Sequence, residues 1–159
     1  MKPRVYIETT IISYLAPRSM RDVVQVARQQ LTRAWWDQRA ELFDLVASQL
    51  VLDEAARGEQ RYAQRRLQLL DGLPLLTATP ESEWWAKRIM ESRIFPAQAS
   101  ADVAHLALAT SHRVDFLLTW NCKHLANPLM LRQVARIIRS EGLEPPTVCT
   151  PEELLGESP

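Results

Sequence analysis

The chain has 159 residues, with 19 basic and 19 acidic side chains that give a formal net charge of zero. With 47% hydrophobic and 24% charged residues it has an ordinary globular composition, and its length fits one domain over residues 1–159 with a substantial core. Zero net charge excludes a global field that attracts nucleic acid or membranes, so a polyanionic partner requires a local basic patch.

Cysteine content and hydrophobicity predict a cytoplasmic protein without membrane association. Cys122 and Cys149 are too few for a disulfide scaffold and are expected to be reduced and partly buried. No apolar run approaches the roughly 20 residues that span a bilayer. The apolar segment near the N-terminus is short and is interrupted by Glu8, which is not typical of a signal peptide.

Strand-like and helical segments alternate along the chain. The predicted strands cover residues 4–8, 42–47, 73–78, 115–119 and 147–149. The predicted helices cover residues 11–16, 22–39, 49–57, 60–70, 80–95, 101–112 and 128–140, and the expected N-caps are Asp22, Ser48, Thr79 and Ser100. Strands separated by helices predict the α/β class, as a three-layer α/β/α sandwich with a mostly parallel sheet of about five strands.

The first strand ends in a carboxylate, Glu8, after an apolar run typical of a central strand covered on both faces. A charge in such a strand requires a partner. Because sites in open α/β sheets form where strands end, Glu8 is expected at the floor of a polar cleft.

Three further polar residues fall where strands lead into helices: Glu54, Asp102 and Asn121. If strands one and four are neighbours, these side chains can converge with Glu8. Carboxylates held close together repel one another unless a cation neutralises them, and hard oxygen ligands suit Mg²⁺ or Mn²⁺. Such ions bind phosphate oxygens and activate water for attack on a phosphodiester.

Each of these residues also has an ordinary structural explanation. Glu8 could pair with an arginine, Glu54 could be a solvated surface acid like its neighbour, and Asn121 could cap a turn. Asp102 could complement a helix N-terminus. His105 lies three residues after Asp102 on the same helix face, where it is either a general base or a site-lining histidine bonded to a neighbour.

Nucleic-acid contacts are suggested by two arginine stripes at helical spacing, although a solvated helix face explains them equally well. The stripes are Arg57, Arg61 and Arg65, and Arg132, Arg136 and Arg139. The pairs Trp35–Trp36 and Trp84–Trp85 are explained by core packing or by a dimer or partner surface.

Four segments in this order resemble the PIN-domain ribonucleases, and among them the VapC-like toxins of prokaryotic toxin–antitoxin pairs. They are Val-Tyr-Ile-Glu-Thr-Thr at 5–10, Ser-Gln-Leu-Val-Leu-Asp-Glu at 48–54, Ser-Ala-Asp-Val-Ala-His-Leu-Ala-Leu-Ala at 100–109, and Leu-Leu-Thr-Trp-Asn at 117–121. The resemblance covers nearly the whole chain. It implies an α/β/α sandwich in which acids bind Mg²⁺ or Mn²⁺ and cut RNA.

Two positions depart from the family pattern. The first acid is usually aspartate and is Glu8 here, and the fourth acid is usually aspartate and is Asn121 here. Glutamate is one methylene longer, and asparagine keeps an oxygen ligand but loses a charge.

The leading hypothesis is a metal-dependent endoribonuclease and toxin. Glu8, Glu54 and Asp102 would hold the cation, Asn121 would complete the catalytic set, and Thr9, Thr119 and His105 would position substrate. The expected partners are RNA, a cognate antitoxin and a second copy of the chain. The alternatives are a non-catalytic module that binds RNA or protein and, ranked last, a Mg²⁺-dependent phosphatase, which would need a nucleophilic aspartate at Glu8.

Overall fold

A computed structural model describes residues 1–16 and 18–156. The strands are β1 (Arg4–Ile7), β2 (Asp44–Ser48), β3 (Leu75–Leu76), β4 (Phe116–Leu118) and β5 (Thr147–Cys149). The α-helices are α1 (Thr9–Leu15), α2 (Val23–Gln38), α3 (Gln49–Ala55), α4 (Gln60–Leu70), α5 (Pro80–Glu91), α6 (Ser100–Ser111), α7 (Pro128–Ser140) and α8 (Pro151–Leu154). Short 3-10 helices, Ala40–Leu42 and Ala97–Ala99, precede β2 and α6.

The sheet is parallel throughout, in the order β3-β2-β1-β4-β5. Helices flank it to give the α/β/α sandwich that the sequence predicts. Helix α1 contacts α2, α3 and α4, while α3 also contacts α4 and α5 packs against α6. Strand β1 is central, and its residues Val5, Tyr6 and Ile7 are fully buried, which explains why this segment is almost entirely apolar.

Local capping signals explain several helix boundaries. The Asp22 side chain accepts a hydrogen bond from the Gln25 amide at 3.0 Å, and Thr79 forms a reciprocal capping box with Ser82. The prediction that Ser100 caps α6 is wrong. The 3-10 turn before α6 leads directly into the helix, so Ser100 already has helical dihedral angles and Ala99 occupies the cap position.

Elements at the sheet edges differ most from their sequence predictions. Residues 73–78 are predicted as a strand, but only Leu75–Leu76 pairs, with the end of β2. Helix α8 is not predicted. It follows β5 directly and is capped by Thr150 and Glu153. Elements of two to four residues are too short to show a recognisable apolar pattern in the sequence.

The aromatic pairs divide between core and surface. Trp35 and Trp85 are buried, whereas Trp36 is only partly buried and Trp84 is 46% exposed. One indole of each pair therefore belongs to the hydrophobic core. Edge-to-face contact joins the two rings within each pair.

Both cysteines are free thiols. Cys149 is buried, and burial raises its pKa to about 12. Cys122 is exposed, so the expectation that both cysteines are partly buried is wrong for this residue, which lies in the turn that follows β4. Within residues 1–16 and 18–156, none of the helices has the length and apolarity required to cross a membrane.

Candidate active site

The carboxyl ends of β1, β2 and β4 meet at one edge of the sheet, because these strands are parallel neighbours. Glu8 directly follows β1 and caps α1. Ser48 ends β2 and caps α3, the helix that carries Glu54. Thr119 directly follows β4. The topology therefore brings polar residues from distant parts of the sequence to one place.

Glu8 is a buried carboxylate, 4% exposed, whose orientation is fixed by three hydrogen bonds. Its Oε2 accepts from the Thr10 amide at 3.1 Å, the Thr10 hydroxyl at 2.5 Å and the Thr119 hydroxyl at 2.8 Å. No hydrogen bond among the described residues uses Oε1. Donors therefore hold one oxygen in the protein and leave the other available to a ligand.

Glu54 lies beside Glu8 and is held from two sides. Its Oε1 accepts from the Thr9 hydroxyl at 2.7 Å and faces His105 Nε2 at 2.6 Å. Partial burial raises the pKa of Glu54, but the hydrogen bond and charge of His105, together with the Thr9 hydroxyl, outweigh this effect. The pKa of Glu54 consequently lies below its ordinary value of 4.5, and the group is ionised at neutral pH.

A chain of buried polar groups supports Glu54 from within the core. His105 is 1% exposed, and its Nδ1 lies 2.7 Å from the Tyr6 hydroxyl, which in turn lies 2.7 Å from Ser48 Oγ. Because a carboxylate only accepts, Nε2 of His105 is assigned as the donor to Glu54. Burial raises the pKa of the Tyr6 phenol, so Tyr6 remains a neutral hydroxyl.

The ligand atoms of Glu8, Glu54 and His105 lie within 4.8 Å of one another. Two carboxylates held this close repel each other unless a cation neutralises them, so Glu8 and Glu54 would suit a shared divalent ion. The donor chemistry fits Mg²⁺ or Mn²⁺. His105 already bonds Glu54 and Tyr6, an arrangement suited to orienting a carboxylate ligand.

Asp102 lies outside this three-residue group, in the first turn of α6. Its Oδ1 accepts from Asn121 Nδ2 at 2.9 Å, and its Oδ2 faces His124 Nδ1 at 2.9 Å. The backbone N–H of Asn121 donates to Thr119 Oγ1 at 2.9 Å. Because Thr119 also bonds Glu8, Asp102 is connected to the Glu8–Glu54 group through Asn121 and Thr119.

The structure gives the predicted threonines a clear place. The Thr9 hydroxyl donates to Glu54. Thr119 is fully buried, and its hydroxyl donates to Glu8 and accepts from the backbone N–H of Asn121. Both hydroxyls contact acids rather than lining an open surface.

Sequence reasoning missed three participants: Tyr6, Thr10 and His124. A signal existed for His124, which lies three residues after Asn121 and donates its backbone N–H to Asn121 Oδ1 at 3.1 Å. Tyr6 was hidden because its hydroxyl is the one polar atom of an otherwise apolar β1 side chain. Thr10 is polar, but its position two residues after Glu8 does not reveal that its hydroxyl and backbone N–H both donate to that carboxylate.

Comparisons with known proteins identify a shared fold. No family model and no curated protein matches the chain. A chain of the crystal structure of VapBC2 from Rickettsia felis bound to a DNA fragment from their promoter superimposes with a TM-score of 0.52 at 13% sequence identity. The match covers 92% of this chain and 98% of that chain.

Proposed function

We propose that the protein is a metal-dependent endoribonuclease that acts as the toxin of a toxin–antitoxin pair, with residues 1–159 forming one domain. The observation that carries the proposal is the meeting of Glu8 and Glu54 within one ion's reach, with Asp102 attached through Asn121 and Thr119. The fold shared with a VapBC2 chain supports it.

The three carboxylates are the groups that would hold Mg²⁺ or Mn²⁺. When bound, such an ion neutralises the acids, polarises a phosphate oxygen and promotes ionisation of water. Glu8 and Glu54 each offer an oxygen to it. Asp102 and the Asn121 side chain would complete the set if their mutual hydrogen bond opened.

The other residues keep the acids in place. Thr10 and Thr119 orient Glu8, while Thr9 and His105 orient Glu54. Preorganised carboxylates do not have to be reoriented when substrate binds, which favours catalysis. The hydrogen bonds that Glu54 accepts also lower its pKa and keep it ionised, as a ligand of a cation must be.

The partners follow from the same proposal. RNA is the substrate, an antitoxin covers the cleft, and a second copy of the chain completes a homodimer. The neighbouring fold comes from a structure that contains VapBC2, which supports an antitoxin partner here.

Cleavage of labelled single-stranded RNA by the purified chain tests the proposal. Wild type should cut RNA with Mn²⁺ or Mg²⁺ and lose activity in EDTA. Glu54→Gln and Asp102→Asn should each lower the rate at least about 100-fold, because each removes a charge from the cation site. The matched control is Asp53→Asn, whose exposed side chain accepts from Gln49 at 2.9 Å and should leave the rate unchanged.

Metal-dependent cleavage that survives both Glu54→Gln and Asp102→Asn would reject these roles. A change of the same size in Asp53→Asn would show that the effect is not specific to the site.

One observation favours the alternative of a non-catalytic binding module. Both Asp102 oxygens are already bonded within the protein, and the neighbouring position holds neutral Asn121. Calorimetry separates the two: absence of Mn²⁺ binding at millimolar concentration, with RNA binding retained, identifies a binding module.

A further inference from the structure

Arginines surround one tyrosine at the far end of α1 from the acids. The guanidinium carbons of Arg61, Arg18 and Arg65 lie 4.9, 5.8 and 5.9 Å from the centre of the Tyr62 ring. The Arg61 side chain also donates to the Tyr62 hydroxyl at 2.8 Å. Positive charge and flat π surfaces are thus concentrated around one side chain.

Several arginines near Tyr62 form no ion pair within 4 Å in the part of the chain that the structure describes. The ion pairs within 4 Å found among residues 1–16 and 18–156 do not involve Arg18, Arg21, Arg61 or Arg66. Arg66 donates instead to the backbone carbonyls of residues 55 and 57. Like charges held together repel one another, and an anion bound between them relieves that repulsion.

Three arginines, Arg18, Arg21 and Arg66, line a concavity beside Tyr62, here called the basic cavity. It has a volume of about 290 Å³, and its walls include Tyr14, Arg18, Arg21, Tyr62 and Arg66. An adjoining groove shares Arg18 and Tyr62 with this cavity and is also lined by Arg33 and Arg61. This volume is at the lower limit for small-ligand sites and is too small to admit a duplex.

The basic cavity is joined to the acids by short structural links. Arg66 Nε donates to the carbonyl of Ala55, the residue after Glu54, at 2.9 Å. Tyr14 lies on α1, five residues beyond Thr9, which bonds Glu54. Five residues of helix rise about 7.5 Å, so one extended strand can reach both places.

We infer that the basic cavity binds one nucleotide of a single-stranded RNA whose backbone continues to the acid cluster, an inference that rests on the proposed nuclease function. The phosphate contacts Arg18, Arg21 and Arg66, and the base stacks on Tyr62 or on a guanidinium plane. Two tyrosine rings in a cationic cavity favour this ligand over an acidic polypeptide, whose carboxylates have no flat face to stack.

Binding of fluorescein-labelled oligouridine, followed by anisotropy in EDTA, tests the inference without relying on cleavage. Tyr62→Ala should weaken binding about tenfold because the base no longer stacks, whereas Tyr62→Phe should bind like wild type. The double variant Arg18→Ala/Arg21→Ala should reduce the salt slope by about 0.7 for each phosphate that an arginine no longer neutralises. The matched control is Arg132→Ala/Arg136→Ala on α7, whose exposed arginines do not line the basic cavity and should not affect affinity.

Each contrary result has a distinct meaning. Unchanged affinity in Tyr62→Ala and in the Arg18/Arg21 variant would overturn the inference, even in a protein that cleaves RNA. Cavity-dependent binding without metal-dependent cleavage would reject the nuclease and keep the RNA site. Poly-L-glutamate that displaces oligouridine from wild type and from Tyr62→Ala equally well would instead assign the basic cavity to an acidic polypeptide. Circular dichroism confirms that each variant is folded.

Discussion

Two carboxylate–histidine pairs at the same edge of the sheet are built differently. Glu54 meets His105 at 2.6 Å, and Asp102 meets His124 at 2.9 Å. The carboxylates are equally exposed, at 20%, but the His105 side chain is 1% exposed and that of His124 is 13% exposed. His105 continues into the core through Tyr6, whereas His124 lies in the loop after β4.

The difference separates folding from site geometry. The Glu54–His105 pair belongs to a hydrogen-bond network whose other members are buried in the core. A change in this pair therefore affects the stability of the whole fold. The Asp102–His124 pair connects α6 to a loop, where a change is absorbed locally. The Glu54–His105 pair thus forms a rigid wall of the site. The Asp102–His124 pair forms a second wall, which can adjust to a ligand. The free energy of unfolding of the metal-free protein measures this difference between the two walls.

The largest effect is expected for His105→Ala. It leaves a cavity in the core and removes one of the two hydrogen-bond partners of the Tyr6 hydroxyl and one of the two of Glu54. Together these changes should lower the free energy of unfolding by about 3 kcal/mol. Urea denaturation followed by circular dichroism measures it. A loss no larger than that of His124→Ala would show that the two walls are energetically alike.

Tyr6→Phe tests whether the network itself, rather than core volume, makes the first wall rigid. The ring stays in place, but Ser48 Oγ and His105 Nδ1 lose the phenol, so the expected loss is about 1–2 kcal/mol. The control is Tyr14→Phe, because the Tyr14 hydroxyl makes no hydrogen bond to any described residue and its loss should cost almost nothing. Equal stability of Tyr6→Phe and wild type would place the rigidity in packing alone.

Glu54→Gln should make stability depend less on pH. The pKa of Glu54 is lower in the folded protein than in the unfolded chain, so the ionised carboxylate stabilises the fold above the unfolded value, near 4.5. That contribution is lost as the pH falls through the folded pKa. Wild type should therefore exceed Glu54→Gln by about 1 kcal/mol at pH 7, and the difference should shrink below pH 4.5. Urea titrations in EDTA from pH 7 to pH 3 measure it. A difference that grows on acidification would reverse the assignment.

The sequence predicts the framework of this site better than its contacts. The parallel order, the central position of β1 and the strand-end positions of Glu8 and Thr119 follow from apolar patterns and topology rules. The pairing of His105 with Glu54 depends on helix rotation and side-chain direction, which spacing along one helix does not fix. His105 could be assigned to the cleft because it lies three residues from Asp102, yet it contacts a different acid.

The division of Asp102 from Glu8 and Glu54 was beyond sequence reasoning for a related reason. Convergence at a sheet edge places residues within several ångströms, but hydrogen bonds decide which of them share a ligand. Asn121 donates to Asp102, a bond that an aspartate at position 121 could not make while ionised. The neutral side chain at position 121 thus acts through a specific contact with Asp102, which the sequence alone does not reveal.

The smallest effect on unfolding is expected for His124→Ala, about 0.5 kcal/mol, because the imidazole is partly exposed and water can replace its bond to Asp102. If Asp102 contributes to the cation site, the same variant should weaken Mn²⁺ binding about tenfold, since removal of an orienting partner typically has that effect. Isothermal titration with Mn²⁺, paired with urea denaturation in EDTA, measures both quantities on one preparation. Lys123→Ala is the control, because the side chain of this exposed neighbour donates no hydrogen bond to the site residues that the structure describes. Unchanged Mn²⁺ affinity in His124→Ala would confine the cation to Glu8 and Glu54. A loss of stability as large as that of His105→Ala would remove the distinction between the two walls.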